Sequence, residues 1–199
     1  MTLALDAQHT ALVLIDLQRG IVSRDTTPHT SSDVVARGAK LARRFREIGA
    51  TVVLVHVAYS ADDGDRLKPM TDAPPAISGP LPPDWSELVP KLEQAPSDII
   101  VTKRQWGAFY GTQLDLQLRR RGVRTIVIGG IATNFGVEST ARDAWERNYQ
   151  MVFVEDAMAG ISEEAHHFAI TNIFPRLGIV RSTEEILGAL RPKARAGKR

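Results

Sequence analysis

Nearly continuous runs of apolar residues, each of strand length, alternate along this chain with segments of helical period. The first run is TALVLIDL at residues 10–17, and the segment at residues 32–49 has apolar residues every three or four positions. Runs that are apolar on both faces are typical of parallel strands that helices cover on both sides. The alternation therefore predicts βαβ units and a parallel sheet.

The alternation continues to the end of the chain. We predict strands at residues 10–17, 51–59, 98–103, 125–131, 151–158 and 178–182. We predict helices at residues 32–49, 111–122, 137–148, 162–174 and 183–190. Together they predict an α/β fold of three layers, αβα, with a doubly wound six-stranded parallel sheet. A single domain at residues 1–190 fits a chain of 199 residues with 43% hydrophobic content.

The charge of the chain is unevenly distributed. Residues 191–199 contain five of the 25 basic residues and no acidic one, which leaves 20 basic against 23 acidic residues in the rest. A domain without a basic stripe has no nucleic-acid footprint, and we expect the basic tail to be disordered. Because there is no leader pattern and the longest apolar run near the N-terminus, residues 11–15, is short, we expect a cytoplasmic protein with no membrane partner.

The chain has no cysteine, which excludes disulfides, thiolate chemistry and cysteine-based zinc sites. The acidic run DDGD at residues 62–65 lacks the ligand spacing of a calcium loop. We therefore expect no metal and no cofactor.

Polar residues follow three of the predicted strands at the point where each strand ends. Asp16 ends the first strand, Lys103 ends the third, and the corner at residues 133–136 follows the fourth. Ligands of open parallel sheets bind beyond the carboxyl ends of the strands. Each residue alone has a structural explanation, since an aspartate often caps a turn and a lysine is often solvated. Their position on one rim indicates a functional site.

The rim residues and their surroundings resemble those of the isochorismatase-like hydrolases, in particular the YecD-like members, which also carry glycine at the corner. The resemblance covers nearly the whole chain, through the stretches ALVLIDLQRGIV, FREIGATVVLVHVAYS, VTKRQWGAFYGTQLDLQLRRRGVRTIVIGGIATNFGVESTARDAW and VFVEDAMAG. It implies a cofactor-free hydrolase of a small molecule that forms a homo-oligomer, a dimer or larger. Metal-dependent relatives carry an Asp-x-His cluster after the second strand, which HVAYSADDGD does not reproduce.

Most of this family use an aspartate, a lysine and a cysteine. Asp16 and Lys103 match the first two, whereas Gly136 occupies the position of the cysteine, so the covalent amidase mechanism lacks its nucleophile. Neither Thr133 nor Ser139 is placed to replace it. Isochorismatases proper also lack the thiol and cleave a vinyl ether without a covalent intermediate. The resemblance then implies that Asp16 donates a proton and Lys103 holds a substrate carboxylate.

The same resemblance assigns roles to the corner. Backbone amides at residues 134–137 would receive an anion at a helix N-terminus, and Gly136 would leave room for substrate. Alternatively, Gly136 answers a backbone requirement, either close approach or a positive φ. The family also implies a cis peptide bond between Ile131 and Ala132. Isochorismatases proper tend to carry a tyrosine in place of Ala132, which argues against isochorismate itself as the substrate.

The sequence is compatible with two roles for Asp16 and with two functions for the protein. Lys103 beside Asp16 lowers the carboxyl pKa and favours a general base that activates water against an amide or ester, whereas burial raises that pKa and favours an acid. The chain is either such a hydrolase or a noncatalytic protein that binds a metabolite in the same pocket.

Further residues are expected to contact the substrate or to close the site. We place Gln18, Ala132, Thr133, Asn134 and Phe135 at the substrate, and we expect an aromatic wall formed by Trp106, Phe109 and Tyr110. The proline-rich segment at residues 60–97, with Trp85, closes the site or serves oligomer contacts. Among the histidines, His29 could line the pocket mouth or be merely solvated, and His56 is expected to be a satisfied core residue.

Overall fold

The computed structural model describes residues 3–73 and 79–192. The strands are β1 (Leu5–Asp6), β2 (Thr10–Ile15), β3 (Thr51–Val57), β4 (Ile99–Lys103), β5 (Thr125–Ile131), β6 (Gln150–Ala159), β7 (Gly178–Arg181) and β8 (Leu190–Arg191). Six of them form one parallel sheet in the order β4-β3-β2-β5-β6-β7. The predicted six-stranded parallel α/β fold is therefore confirmed.

Helices cover both faces of this sheet. They are α1 (Arg19–Val22), α2 (Ser31–Glu47), α3 (Leu114–Arg120), α4 (Glu138–Glu146), α5 (Glu163–Phe168), α6 (Phe174–Leu177) and α7 (Thr183–Ala189). The helix predicted at residues 162–174 is interrupted, because a π-helical turn at Ala169–Ile173 separates α5 from α6. A second π-helical turn, Thr133–Val137, connects β5 to α4.

Strand β2 lies at the centre of the sheet, and all six of its residues are buried. Leu12 and Leu14 belong to the hydrophobic core beneath α2 and α7, whereas Val13 and Ile15 belong to the core beneath α4 and α6. Side chains of a strand point alternately to opposite faces, so a strand buried on both faces is apolar at every position. This explains the continuous apolar run.

The chain adds strands to the sheet outward from β2 in one direction and then outward from β5 in the opposite direction. From β2 the sheet runs through β3 to β4, and from β5 it runs through β6 to β7. Gly130 packs against the end of β2 so closely, with φ +128°, that a Cβ there would lie 2.1 Å from the Ile15 carbonyl oxygen. The carboxyl ends of β2 and β5 therefore meet at the switch point, where ligands of open α/β sheets bind.

The two terminal strands β1 and β8 form a separate short parallel pair, in which Asp6 aligns with Arg191. Arg191 thus lies in a strand, although we expected it to begin the disordered tail. The rest of that tail, residues 193–199, and residues 74–78 of the proline-rich segment lie outside the described residues. Within the described ranges, none of the helices has both the length and the apolar character needed to cross a membrane.

Candidate active site

Asp16 and Lys103 form a buried ion pair at the carboxyl edge of the sheet. Lys103 is the last residue of β4 and Asp16 directly follows β2, on either side of β3. Lys103 Nζ lies 2.8 Å from Asp16 Oδ2, and both residues are more than 90% buried. The sequence-based expectation that these two side chains face one crevice agrees with this geometry.

The backbone conformation of Asp16 directs its side chain away from the hydrogen-bonded strands of the sheet. Asp16 has a positive φ of 53°, and its N–H still donates to the carbonyl of Val55 at 2.9 Å. Aspartate tolerates the left-handed region better than most residues. The strand therefore ends at Ile15, and the carboxyl group turns toward Lys103 rather than along the sheet.

The two carboxyl oxygens of Asp16 have different environments. Oδ2 accepts from Lys103 Nζ, which also donates to the carbonyl of Trp106 at 2.6 Å. Oδ1 is buried and has no hydrogen-bond partner within residues 3–73 and 79–192. An ammonium group has three donors, so one remains beyond the two contacts of Lys103. One oxygen is thus held in place, and the other forms no hydrogen bond within the described ranges.

Burial raises the pKa of the Asp16 carboxyl above its ordinary value. Lys103 lowers the pKa through its charge and its hydrogen bond, and His56 lowers it further, but the loss of hydration is the larger effect. Burial and the charge of Lys103 thus have opposite effects on this pKa, and burial has the larger one. The Asp16 carboxyl therefore holds its proton more strongly than an exposed aspartate does.

Gly136 lies directly against this pair. A Cβ at Gly136 would lie 3.1 Å from Asp16 Oδ2 and 3.2 Å from Lys103 Nζ, and 3.0 Å from Ile15 Cγ2. Gly136 does not have a positive φ, so of the two backbone explanations only close approach applies. Glycine thus lets the corner lie against the carboxylate and the ammonium without a side-chain atom that would crowd them.

The corner differs in one respect from the anion site expected at residues 134–137. The N–H groups of Phe135 and Val137 both donate to the carbonyl of Ala132 at 3.2 Å. Two of the four expected amides are thus engaged within the π-helical turn, which corrects that expectation. The implied cis peptide bond between Ile131 and Ala132 is present. Ala132 itself packs against the core on the α2 side.

Thr140 joins the corner to the segment that follows Lys103. Its buried hydroxyl donates to the carbonyl of Gly136 at 2.6 Å and accepts from the N–H of Ala108 at 3.1 Å. Sequence reasoning missed this residue, because a threonine inside a helix carries no signal of such a contact. One hydroxyl group thereby fixes the corner relative to the segment that follows Lys103.

Only part of the expected aromatic wall is found. Trp106 contacts Phe135 edge to face, with ring centroids 4.9 Å apart. Phe109 instead lies in the hydrophobic core, 5.9 Å from the ring of Tyr149, because its apolar ring is buried by α3 and α4. Tyr110 is 77% exposed and points to solvent. The wall therefore consists of Trp106 and Phe135.

Gln18 holds the proline-rich segment rather than presenting its amide to a ligand. Its side chain accepts from the N–H of Val57 at 2.7 Å and donates to the carbonyls of Val57 and Trp85 at 2.9 and 3.2 Å. This geometry corrects the expected substrate contact. Trp85 is buried within the same chain and stacks on Tyr59.

Tyr59 is a site residue that the sequence argument missed. It follows β3 by two residues on the same rim, which is a signal that could have found it. Burial raises the pKa of its phenol, and the nearby charge of Asp16 adds to the effect. Tyr59 therefore lies within the electrostatic influence of Asp16, on the rim that also carries Arg66.

Thr133 and Asn134 face away from the ion pair toward α5 and the end of β6. Thr133 Oγ1 lies 2.8 Å from His166 Nδ1. Asn134 Oδ1 is buried near Gly160 and has no hydrogen-bond partner among the described residues. His29, which we expected at the pocket mouth or in solvent, lies 3.4 Å from Glu155 through its Nε2 atom.

The sequence also makes predictions about His56 and about possible metal ligands. His56 is satisfied on both nitrogens, by the carbonyl of Ser86 and the hydroxyl of Thr102, each at 2.8 Å, as expected, but it is half-buried rather than in the core. In the described part of the chain, no three histidine, aspartate or glutamate side chains are grouped so that they could hold a metal ion.

Comparison with known proteins places this geometry in a family. The isochorismatase domain model matches residues 10–185. The isochorismatase family protein YecD of Escherichia coli O157:H7 is 53% identical over 94% of this chain and all of its own length. The ureidoacrylate amidohydrolase RutB of Variovorax paradoxus is 30% identical over 96% of this chain and 84% of its own length.

A solved structure agrees with the match to the isochorismatase domain model and with the similarity to YecD. An isochorismatase family protein from Burkholderia thailandensis superposes with a TM-score of 0.90 at 49% identity, over 95% of this chain and 98% of that one. The resemblance that the rim residues indicated, including that to YecD, is confirmed by these matches. The chain belongs to the isochorismatase family and is a hydrolase.

Proposed function

We propose that the protein hydrolyses a small carboxylated or carbonyl-bearing metabolite without a covalent intermediate, with Asp16 and Lys103 as the working pair. The carrying observation is the division of the Asp16 carboxyl, in which Oδ2 binds Lys103 and Oδ1 has no partner among the described residues. A carboxyl oriented through one oxygen can transfer a proton through the other. Its raised pKa supports a protonated form that can act as an acid.

A vinyl ether linkage fits this arrangement best. The Asp16 Oδ1 proton would add to the methylene carbon, and water would add to the resulting oxocarbenium ion and return a proton to the Asp16 carboxylate. The hemiketal formed in this way then breaks its bond to the alcohol oxygen, which leaves an alcohol and a carbonyl group. The remaining Lys103 donor would bind a substrate carboxylate and compensate its charge in the buried site.

The space beside Gly136 supports the same proposal. A side chain at this position would contact both charged groups, whereas glycine lets a substrate atom approach them. Trp106 and Phe135 provide an apolar surface near the corner. An unsaturated, planar substrate would suit such an apolar surface, because its flat face can pack against the rings.

The similarity to RutB favours a second candidate, hydrolysis of an amide. In that reaction Asp16 would act as a general base and activate water, because the chain has no cysteine to serve as nucleophile. The two candidates require opposite protonation states of the same carboxyl group before reaction.

Turnover of a panel of carboxylated vinyl ethers, amides and esters tests the proposal. We expect wild type to hydrolyse at least one vinyl ether, and Asp16→Asn to lower kcat by about 10²- to 10⁴-fold, the usual contribution of acid–base catalysis. The control is Asp72→Asn, which changes an exposed aspartate and should leave kcat unchanged. Turnover that survives in Asp16→Asn contradicts the assignment, and binding without turnover identifies a noncatalytic metabolite-binding protein.

A further inference from the structure

A second cluster of polar side chains lies on the opposite side of the corner from the ion pair. It consists of Thr133 in the corner, His166 on α5, Glu155 in β6 and His29 ahead of α2. None of these side chains takes part in the proton transfer described above. The cluster nevertheless joins the first residue of the corner to three other parts of the fold.

His166 contacts the corner directly. Its Nδ1 atom lies 2.8 Å from Thr133 Oγ1, and both residues are buried. A buried hydroxyl group that loses its partner costs stability or rotates to find another. The orientation of Thr133 therefore depends on His166.

The other nitrogen of His166 faces a carboxylate. Nε2 is buried and forms no hydrogen bond among the described residues, but it lies 3.7 Å from Glu155 Oε1, and the same oxygen lies 3.4 Å from His29 Nε2. His166 and, less strongly, His29 hold the pKa of Glu155 below its ordinary value against the opposing effect of burial. The Glu155 carboxylate favours the tautomer with hydrogen on Nε2, in which Nδ1 accepts a hydrogen bond from the Thr133 hydroxyl.

We propose that His166 is a positioning residue that sets the corner of the active site through Thr133, and that Glu155 fixes the His166 tautomer required for this contact. The inference rests on the proposed function of the corner. Thr133 begins the π-helical turn that ends at Val137, and this turn contains Gly136. A rotation of Thr133 shifts the turn, and with it the space beside Asp16 and Lys103.

The two nitrogens of His166 can be separated by substitution. The amide of His166→Asn lies where Nδ1 lies and can still bond Thr133. The amide of His166→Gln extends toward Glu155 and lacks that contact. Thr133→Val removes the hydroxyl at nearly constant volume, and Thr133→Ser retains it. The four variants thus divide into two that keep the contact and two that lose it.

Steady-state kinetics on the best substrate of the panel provides the first readout. We expect Thr133→Val and His166→Gln to lower kcat by about 10- to 100-fold with little change in KM, as for a displaced catalytic geometry. His166→Asn and Thr133→Ser should stay within about threefold of wild type. The double variant Thr133→Val/His166→Gln should be no slower than the slower single variant, because both remove one contact. Wild-type kcat in Thr133→Val, or equal losses in His166→Asn and His166→Gln, overturns the proposal.

Amide resonances in ¹H–¹⁵N spectra provide a second readout that needs no turnover. The Gly136 resonance should move in His166→Gln and stay near its wild-type position in His166→Asn. An unmoved resonance in both variants, or equal movement in both, overturns the positioning role. Absence of turnover on the whole panel would instead count against the proposed function, so the two failures are distinguishable.

Discussion

At the scale of single residues, the two oxygens of the buried Asp16 carboxyl have different environments. Its Oδ2 atom is fixed by Lys103, and its Oδ1 atom is buried without a partner among the described residues. Lys103 is fixed in turn by the carbonyl of Trp106. Because burial outweighs the neighbouring charge, the carboxyl pKa is raised, which favours the proposed role of Asp16 as an acid.

Gly136→Ala tests the need for space beside the pair. The added Cβ would lie 3.0 to 3.2 Å from Ile15, Asp16 and Lys103, so these groups must move by a few tenths of an ångström. We expect kcat/KM to fall by about 10-fold or more, since small displacements of reacting groups are costly. Gly188→Ala is the control, because a Cβ there meets nothing within 4 Å, and it should leave kcat/KM unchanged. Full activity in Gly136→Ala would show that the space is not used.

Thr140→Val tests the link between the corner and the Lys103 loop. The substitution keeps the side-chain shape but removes both hydrogen bonds, to Gly136 and Ala108. We expect the free energy of unfolding to fall by about 1–3 kcal/mol, the cost of unpaired buried polar groups, together with a loss of kcat. Thr140→Ser retains the hydroxyl and should recover kcat. Chemical denaturation and steady-state kinetics measure the two effects, and equal kcat in both variants would refute the positioning role.

At the scale of elements, the amino edge of the sheet is held by contacts between the end of α2 and the segment that precedes β4. Arg46 binds Asp98 through two hydrogen bonds, at 3.0 and 2.7 Å, and also donates to the carbonyl of Leu92. The Asp98 side chain is 1% exposed. This bidentate ion pair fixes the start of β4, the strand that ends with Lys103.

Asp98→Ala should destabilise the fold strongly. Removal of one partner leaves a buried guanidinium without its carboxylate, and breaking such a pair costs about 3–5 kcal/mol. Arg43→Ala is the matched control, because Arg43 forms an exposed pair with Glu93 and should change stability by less than about 1 kcal/mol. Urea denaturation followed by circular dichroism measures both values. Equal, small changes in the two variants would show that the buried pair does not fix β4.

The element boundaries show what the sequence could predict. The predicted strand 125–131 coincides with β5, because apolar residues fill it and glycine and the corner bound it. The helix predicted at residues 111–122 begins later, at Leu114, since Gly111 has φ +65° and cannot continue a helix. The π-helical turns have no counterpart in the predicted elements, because the helical period of apolar residues does not distinguish a π-helical turn from an α-helical one.

At the scale of the whole molecule, the topology brings distant residues together. Asp16 and Lys103 are 87 positions apart in sequence, yet both lie at the carboxyl edge near the switch point. This could be predicted, because a parallel sheet places all strand ends on one rim. Side-chain directions could not: Phe109 and Tyr110 follow Lys103 closely, but one enters the core and the other faces solvent. Long-range contacts such as Thr133 with His166 carry no local signal either.

The pH dependence of kcat/KM on a carboxylated vinyl ether, compared between wild type and Asp16→Asn, tests the central claim most directly. If Asp16 donates the proton, the wild-type rate is highest below the Asp16 pKa and falls as the pH rises through it. Because burial raises this pKa, the fall should occur above the ordinary range of an aspartate. Asp16→Asn should be slower by about 10²- to 10⁴-fold and lack this fall. A wild-type rate that rises with pH, or the same profile in both proteins, would contradict the assignment of Asp16 as the acid.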